Sequence, residues 1–159
     1  MHDVYLGLGS NLGDRAGTLE QAVAELARLG PVTRSGWYET EPVGIGNAPR
    51  FLNGVARLAT ELGAVELHER VTAIEVRLGR DPEHRTGSRT IDIDILLYGA
   101  QVIDLPRLTI PHPRLEERAF VLAPLAELAP DLCHPVLGLT VSRMLARVSQ
   151  AGVSLWKAA

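Results

Sequence analysis

Near the start of the chain Val4, Leu6 and Leu8 are separated by Tyr5 and Gly7, a period of two that predicts a strand ending in the loop-forming run Gly9-Ser10-Asn11-Leu12-Gly13. The period then lengthens. Leu19, Ala22, Val23, Leu26 and Leu29 make one helical stripe, opened by Thr18 and Gln21 at capping-box spacing and stopped by Gly30-Pro31. A second strand is expected over about 32–39, followed at 41–50 by E-P-V-G-I-G-N-A-P-R, whose Pro42, Gly44, Gly46 and Pro49 exclude regular structure and leave a loop long enough to carry function. The strand at about 51–60 sets Phe51, Asn53 and Val55 on one face and Leu52, Ala56 and Leu58 on the other. Leu67, Val71, Ile74 and Leu78 then predict an amphipathic helix closed by Gly79. After a charged loop, Ile91, Ile93 and Ile95 alternate with Asp92 and Asp94 and run into Leu96-Leu97-Tyr98, a strand ended by Gly99. A short hairpin around Val102 and Leu108 leads to Pro111-His112-Pro113, and helical patterns follow at about 116–128 and 140–148. This order predicts an α+β sandwich of ferredoxin-like type whose helices pack on a mostly antiparallel sheet.

Composition narrows the class. A length of 159 residues with 46% hydrophobic content suits a single domain over 1–159. A net charge of −3 argues against nucleic-acid or membrane partners, so any anionic ligand must be held by local positive charge. Lys157 is the only lysine among 16 basic residues, and the rest are arginines, which grip phosphate bidentately. One cysteine, Cys133, cannot form a disulfide within the chain, and MHDVYLGLGS has no basic region followed by an apolar stretch. The expectation is a cytoplasmic monomer.

The richest stretch is R-D-P-E-H-R-T-G-S-R-T-I-D-I-D-I-L at 80–96. Residues two apart in a strand share a face, roughly 6.5–7 Å apart, so Asp92 and Asp94 project in parallel. Such a pair is either a solvated acidic edge or a site for a hard cation such as Mg²⁺, which completes its shell with water and phosphate oxygens. Arg80, Arg85 and Arg89 just upstream add cations on a loop containing Gly87, an arrangement able to hold a polyphosphate from two sides. No G-K-[ST] or dinucleotide fingerprint is present, and Gly7, Gly9 and Gly13 read as a tight strand-to-helix connection. Phe51 and Asn53 offer an aromatic surface and a bidentate amide on one face, suited to a flat heterocycle. His112 is either a turn histidine or an imidazole aimed by its two prolines.

Taken together these segments resemble the 6-hydroxymethyl-7,8-dihydropterin pyrophosphokinase family. The similarity is carried by Y-L-G-L-G-S-N-L-G-D-R at 5–15, Y-E-T-E-P-V-G at 38–44, F-L-N-G-V at 51–55, R-T-G-S-R-T-I-D-I-D-I-L at 85–96, L-T-I-P-H-P-R at 108–114 and E-R-A-F-V-L-A-P-L at 117–125. The resemblance implies a ferredoxin-like, three-layer αβα sandwich and transfer of diphosphate from ATP to the pterin hydroxymethyl group in folate biosynthesis, with two Mg²⁺ ions. It implies that Asp92 and Asp94 bind the ions and that Arg80 and Arg89 contact the triphosphate. Phe51 and Phe120 would sandwich the pterin, Asn53 would read its edge, and Thr40, Glu41, Val43 and Gly44 would complete that pocket. Glu75, Ile95, Arg107, Thr109, His112 and Arg118 would line the nucleotide side. Two departures stand out: Thr86-Gly87-Ser88 replaces the usual tryptophan, glycine and proline, and Pro113 replaces a frequent tyrosine. Rival functions are a nucleotide sensor on the same fold without catalysis, and a metal-dependent phosphodiesterase, which would want more carboxylates than this chain gathers and a basic surface it lacks.

Overall fold

The computed structural model describes residues 1–40, 50–79 and 90–157. Strand β1 (His2–Ser10) pairs along its whole length with β4 (Phe51–Thr60), antiparallel. Gly9 and Ser10, expected in a loop, continue the strand because they pair with Asn53 and Leu52. Helix α1 (Arg15–Leu26) starts earlier than the capping-box reading placed it: the cap is Asp14, whose carboxylate accepts from the Gly17 amide at 3.0 Å, and Thr18 lies inside the first turn.

The strand expected at 32–39 is two strands, β2 (Val32–Arg34) and β3 (Tyr38–Thr40). Between them Ser35 keeps half a ladder pair: its amide donates to the Val55 carbonyl at 2.9 Å, but its hydroxyl accepts from the Val55 amide at 2.9 Å. Helix α2 (Ala64–Arg77) precedes β5 (Asp92–Tyr98), and β6 (Ile103–Leu105) and β7 (Leu108–Ile110) form the expected hairpin. The helix expected at 116–128 is broken: a 3-10 turn covers Leu115–Glu117, Arg118 is extended, and α3 runs from Ala119 to Leu128. Helix α4 (Val141–Ala146) follows, and β8 (Val153–Leu155), for which the sequence has no clear alternation, closes the chain against β3.

The main sheet has the order β5-β1-β4-β3-β8, with β2 also on β4, and all its pairings are antiparallel. Leu6, Leu8, Leu52 and Leu58 pack with Leu19, Leu26, Leu67 and Ile74 of α1 and α2 on one face. Tyr5, Val55 and Leu97 pack with Leu122, Leu125, Val141 and Met144 of α3 and α4 on the other. Three layers result, as the resemblance implied. One irregularity explains the run Leu96-Leu97-Tyr98. Leu6 faces Ile95 while Tyr5 faces Leu97, so Leu96 is an extra, bulged residue. The bulge shifts the alternation, letting Leu96 and Leu97 both enter the α3 side while Tyr98 turns to the α1 side.

The turn joining α3 to α4 depends on a buried histidine. His134 Nδ1 accepts from the Val136 and Leu137 amides at 3.2 and 3.1 Å, and its own amide donates to the Leu139 carbonyl at 2.8 Å. Burial lowers the His134 pKa from its ordinary 6.5, outweighing the opposite pull of Glu116. Because the folded pKa lies below the unfolded one, the unfolded chain binds the proton more readily, and stability falls as pH drops through and below about 6.5. Melting curves between about pH 7 and about pH 5 should therefore show a falling Tm, with a shallower fall in His134→Asn, whose side chain cannot take the proton. Equal slopes for the two proteins would remove His134 as the cause.

Candidate active site

Residues directly opposite one another in an antiparallel pair share a face of the sheet. Asp92 faces Gly9 of β1, Gly9 faces Asn53 of β4, and Asn53 faces Tyr38 of β3. One step along, Asp94 faces Gly7, and Gly7 faces Val55. Both aspartates thus stand on the α3 side of the sheet beside two residues without side chains, and the glycines leave a floor between the carboxylates and Asn53. A cavity of about 500 Å³ lies over it, lined by Gly7, Gly9, Thr40, Phe51, Asn53, Asp92, Asp94, His112, Arg118 and Phe120 among others.

Asn53 is held firmly. Its Nδ2 donates to the Thr40 hydroxyl at 3.0 Å, and its Oδ1 lies over Gly9, where a β-carbon would come within 2.6 Å of it. Gly9 is therefore a close-approach position, not part of a strand-to-helix turn. The opposite wall comes from the start of α3. Arg118, extended at the helix cap, brings its guanidinium carbon to 5.6 Å from the Phe120 ring centre. Burial, followed by the neighbouring Arg114, lowers the Arg118 pKa, while Asp94 and Asp92 act in the opposite direction.

His112 is aimed by its backbone: its amide donates to the Leu96 carbonyl at 2.9 Å, and its Nδ1 accepts from the Arg114 amide at 3.3 Å. With Nδ1 an acceptor, the neutral ring carries its proton on Nε2 as a donor. Burial first, then Arg118 and Arg114, lower its pKa below 6.5, which keeps the ring neutral near pH 7.

His112 and Asp94 also line a second cavity of about 380 Å³, shared with Glu75, Ile93, Ile95, Arg107, Thr109 and others. This one follows the outer edge of β5, the end strand of the sheet. An edge strand leaves amides without a ladder partner. The Ile93 amide donates instead to Glu75 Oε2 at 2.7 Å, which holds α2 against the edge. The two cavities meet at Asp94 and His112.

Thr40, Phe51, Asn53 and Phe120 are thus gathered at the first cavity, and Glu75, Ile95, Arg107, Thr109 and His112 at the second. Arg118 lines the first cavity, together with Phe120, Asp92 and Asp94. Arg80, Arg89, Glu41, Val43 and Gly44 lie outside the described residues. Sequence reasoning missed Gly7 and Gly9 as floor residues, although their spacing of two inside a strand was a signal, and it missed Arg114, His68 and Thr72 as lining residues. Among the described residues no group of three or more His, Cys, Asp or Glu side chains gathers as a metal site. The donor set is two hard carboxylates at an open floor. That suits a cation which takes one or two protein ligands and completes its shell with phosphate oxygens.

The sequence model of the family 7,8-dihydro-6-hydroxymethylpterin-pyrophosphokinase (HPPK) matches residues 5–130. A 2-amino-4-hydroxy-6-hydroxymethyldihydropteridine pyrophosphokinase of Pseudomonas aeruginosa is 48% identical over 136 residues, covering 83% of this chain and 83% of the relative. One of Bacillus subtilis is 46% identical over 156 residues, covering 96% and 89%. In fold, the chain is similar to the crystal structure of Plasmodium falciparum HPPK-DHPS with pteroate, at a TM-score of 0.75 and 17% identity. That match takes in 92% of this chain and 42% of the longer one. The chain belongs to the 7,8-dihydro-6-hydroxymethylpterin-pyrophosphokinase family.

Proposed function

We propose that this protein transfers the terminal diphosphate of ATP to the hydroxymethyl oxygen of 6-hydroxymethyl-7,8-dihydropterin, releasing AMP, as a Mg²⁺-dependent step of folate biosynthesis. The observation that carries the reading is the glycine floor. Gly9 joins Asp92 to Asn53 across three adjacent strands, so a cation site and a heterocycle-reading amide open into one cavity. The flat pterin lies between Phe51 and Phe120, with the Asn53 carbonyl oxygen receiving a ring donor and Thr40 fixing that amide's orientation. The nucleotide occupies the β5-edge cavity, where Arg107, Thr109 and the Nε2 donor of His112 contact it, and its phosphates cross toward Asp94.

In the reaction the pterin hydroxyl oxygen bonds to the β-phosphorus, the bond from that phosphorus to the oxygen bridging it to the α-phosphorus breaks, and the hydroxyl proton is released. Asp92 and Asp94 would hold the two Mg²⁺ ions, whose charge, when bound, offsets the phosphates and acidifies the attacking hydroxyl. The residues of the chain supply the rest. Arg118 contributes positive charge beside the aspartates, and Arg80 and Arg89 contact the phosphates. Orientation of two bound substrates in adjoining cavities accounts for much of the rate.

Incubation of the purified protein with Mg-ATP should give AMP only when the pterin is added, and chelation of the metal should stop it. AMP or ADP formed without pterin would favour hydrolysis, and binding without turnover would favour a sensor. Asp92→Asn and Asp94→Asn should each lower kcat by roughly 10²-fold or more without loss of fold, as expected for removal of a preorganised charged group. Near-normal turnover in either would remove the metal assignment. Gly9→Ala should raise the KM for pterin about tenfold by displacing the Asn53 amide, with the KM for ATP little changed.

A further inference from the structure

Strand β3 has three residues, and its last, Thr40, is the one that orients Asn53. The strand is paired on both edges, with β4 and β8, and a further tie to it lies behind the cavity. The Glu127 carboxylate of α3 accepts from the Tyr38 hydroxyl at 2.8 Å and from the Gly36 amide at 2.9 and 3.2 Å, bonds that span about ninety residues of chain. Neither Tyr38 nor Glu127 lines the cavity. The Tyr38 phenol is pushed up to about 12, through burial first and then its bond to Glu127 and that carboxylate's charge, so it remains a donor at any working pH.

The same helix carries Phe120 on the opposite wall. Phe120 and Glu127 are seven residues apart, two helical turns, and so share one face about 10 Å apart along the axis. Between them sits Pro124, inside α3. Proline has no amide hydrogen, so the helical bond that would reach back to the Phe120 carbonyl is missing, although the helix continues through it from Ala119 to Leu128. The Glu127 bonds fasten the far end of this helix to the strand bearing Thr40.

We propose that Glu127 is a positioning residue for the pterin side of the cavity. Through Tyr38 and Gly36 it sets the separation of α3 from β3, and with it the gap between Phe120 and the Phe51–Asn53–Thr40 wall. The inference rests on reading that cavity as the pterin site. The nucleotide cavity lies at the other end of the sheet, on β5, with β1 and β4 between it and β3. Loss of the clamp therefore weakens pterin binding and leaves nucleotide binding alone.

The test is calorimetric binding to the full chain with Mg²⁺, using α,β-methylene-ATP, in which the bond to be broken is replaced, first alone and then with pterin added. Relative to wild type, Glu127→Ala should raise the pterin Kd about tenfold, Tyr38→Phe about threefold, and Glu127→Gln by an intermediate factor because it keeps one acceptor. The nucleotide Kd should stay within about twofold in all of them. A general structural role would instead weaken both ligands by similar factors, and that result, or an unchanged pterin Kd, overturns the proposal. Should Glu127→Ala fail to fold, Tyr38→Phe, which deletes one oxygen, decides. A wild-type protein that binds nucleotide but no pterin refutes the functional reading and the clamp with it. Normal wild-type binding with unaffected variants refutes the clamp alone.

Discussion

The register of β1 between β4 and β5 is the constraint from which the site follows. A strand presents alternate residues to opposite faces, so a slip of one position would exchange Gly7 and Gly9 for Leu6 and Leu8. Leucines would then cover the floor between the aspartates and Asn53, and glycines would face α1 and α2. The buried leucines of one face therefore specify the open floor of the other: Val4, Leu6 and Leu8 are almost wholly buried and tolerate no such exchange. Stability and function are written on alternate residues of the same strand.

That arrangement also explains how an acidic chain makes room for anionic ligands. Positive charge is local: Arg114 and Arg118 stand close enough to His112 to lower its pKa, and Asp92 and Asp94 stand close enough to Arg118 to favour its charged form. The imidazole is neutral near pH 7 because burial and two guanidiniums oppose a third positive charge. At the edge of β5, Glu75 spends a carboxylate oxygen on a backbone amide, which fixes the wall of one cavity while β5 carries the carboxylates of the other. Pairing, capping and ligand chemistry draw on the same few polar groups.

Much of this was legible in the amino-acid order because its signals are local. The period-two runs at 4–8, 51–58 and 91–95 and the helical stripes of α1 and α2 name their elements, and the Asp92–Asp94 spacing puts two carboxylates on one face whatever the surroundings. The misread boundaries have local causes that need distant partners. Gly9 and Ser10 look like a turn until Leu52 and Asn53 pair with them. Ser35 interrupts a strand because Val55 offers its amide, and Arg118 breaks a helix whose apolar pattern runs straight through it. The short β8 has no alternation of its own and exists through its pairing with Tyr38–Thr40.

By itself the sequence determined the set of elements, the faces they bury and the residue types able to meet phosphate, metal and a flat ring, since each depends on spacing along one strand or helix. Only the tertiary structure decided which of those faces meet. It put Asp92, Gly9, Asn53 and Tyr38 in one row, bulged Leu96, set Arg118 beside Phe120, and closed Glu127 onto Gly36 and Tyr38. The reason is physical: register and helix placement are chosen by the joint burial of residues far apart in the chain, and no spacing within a single segment encodes that sum.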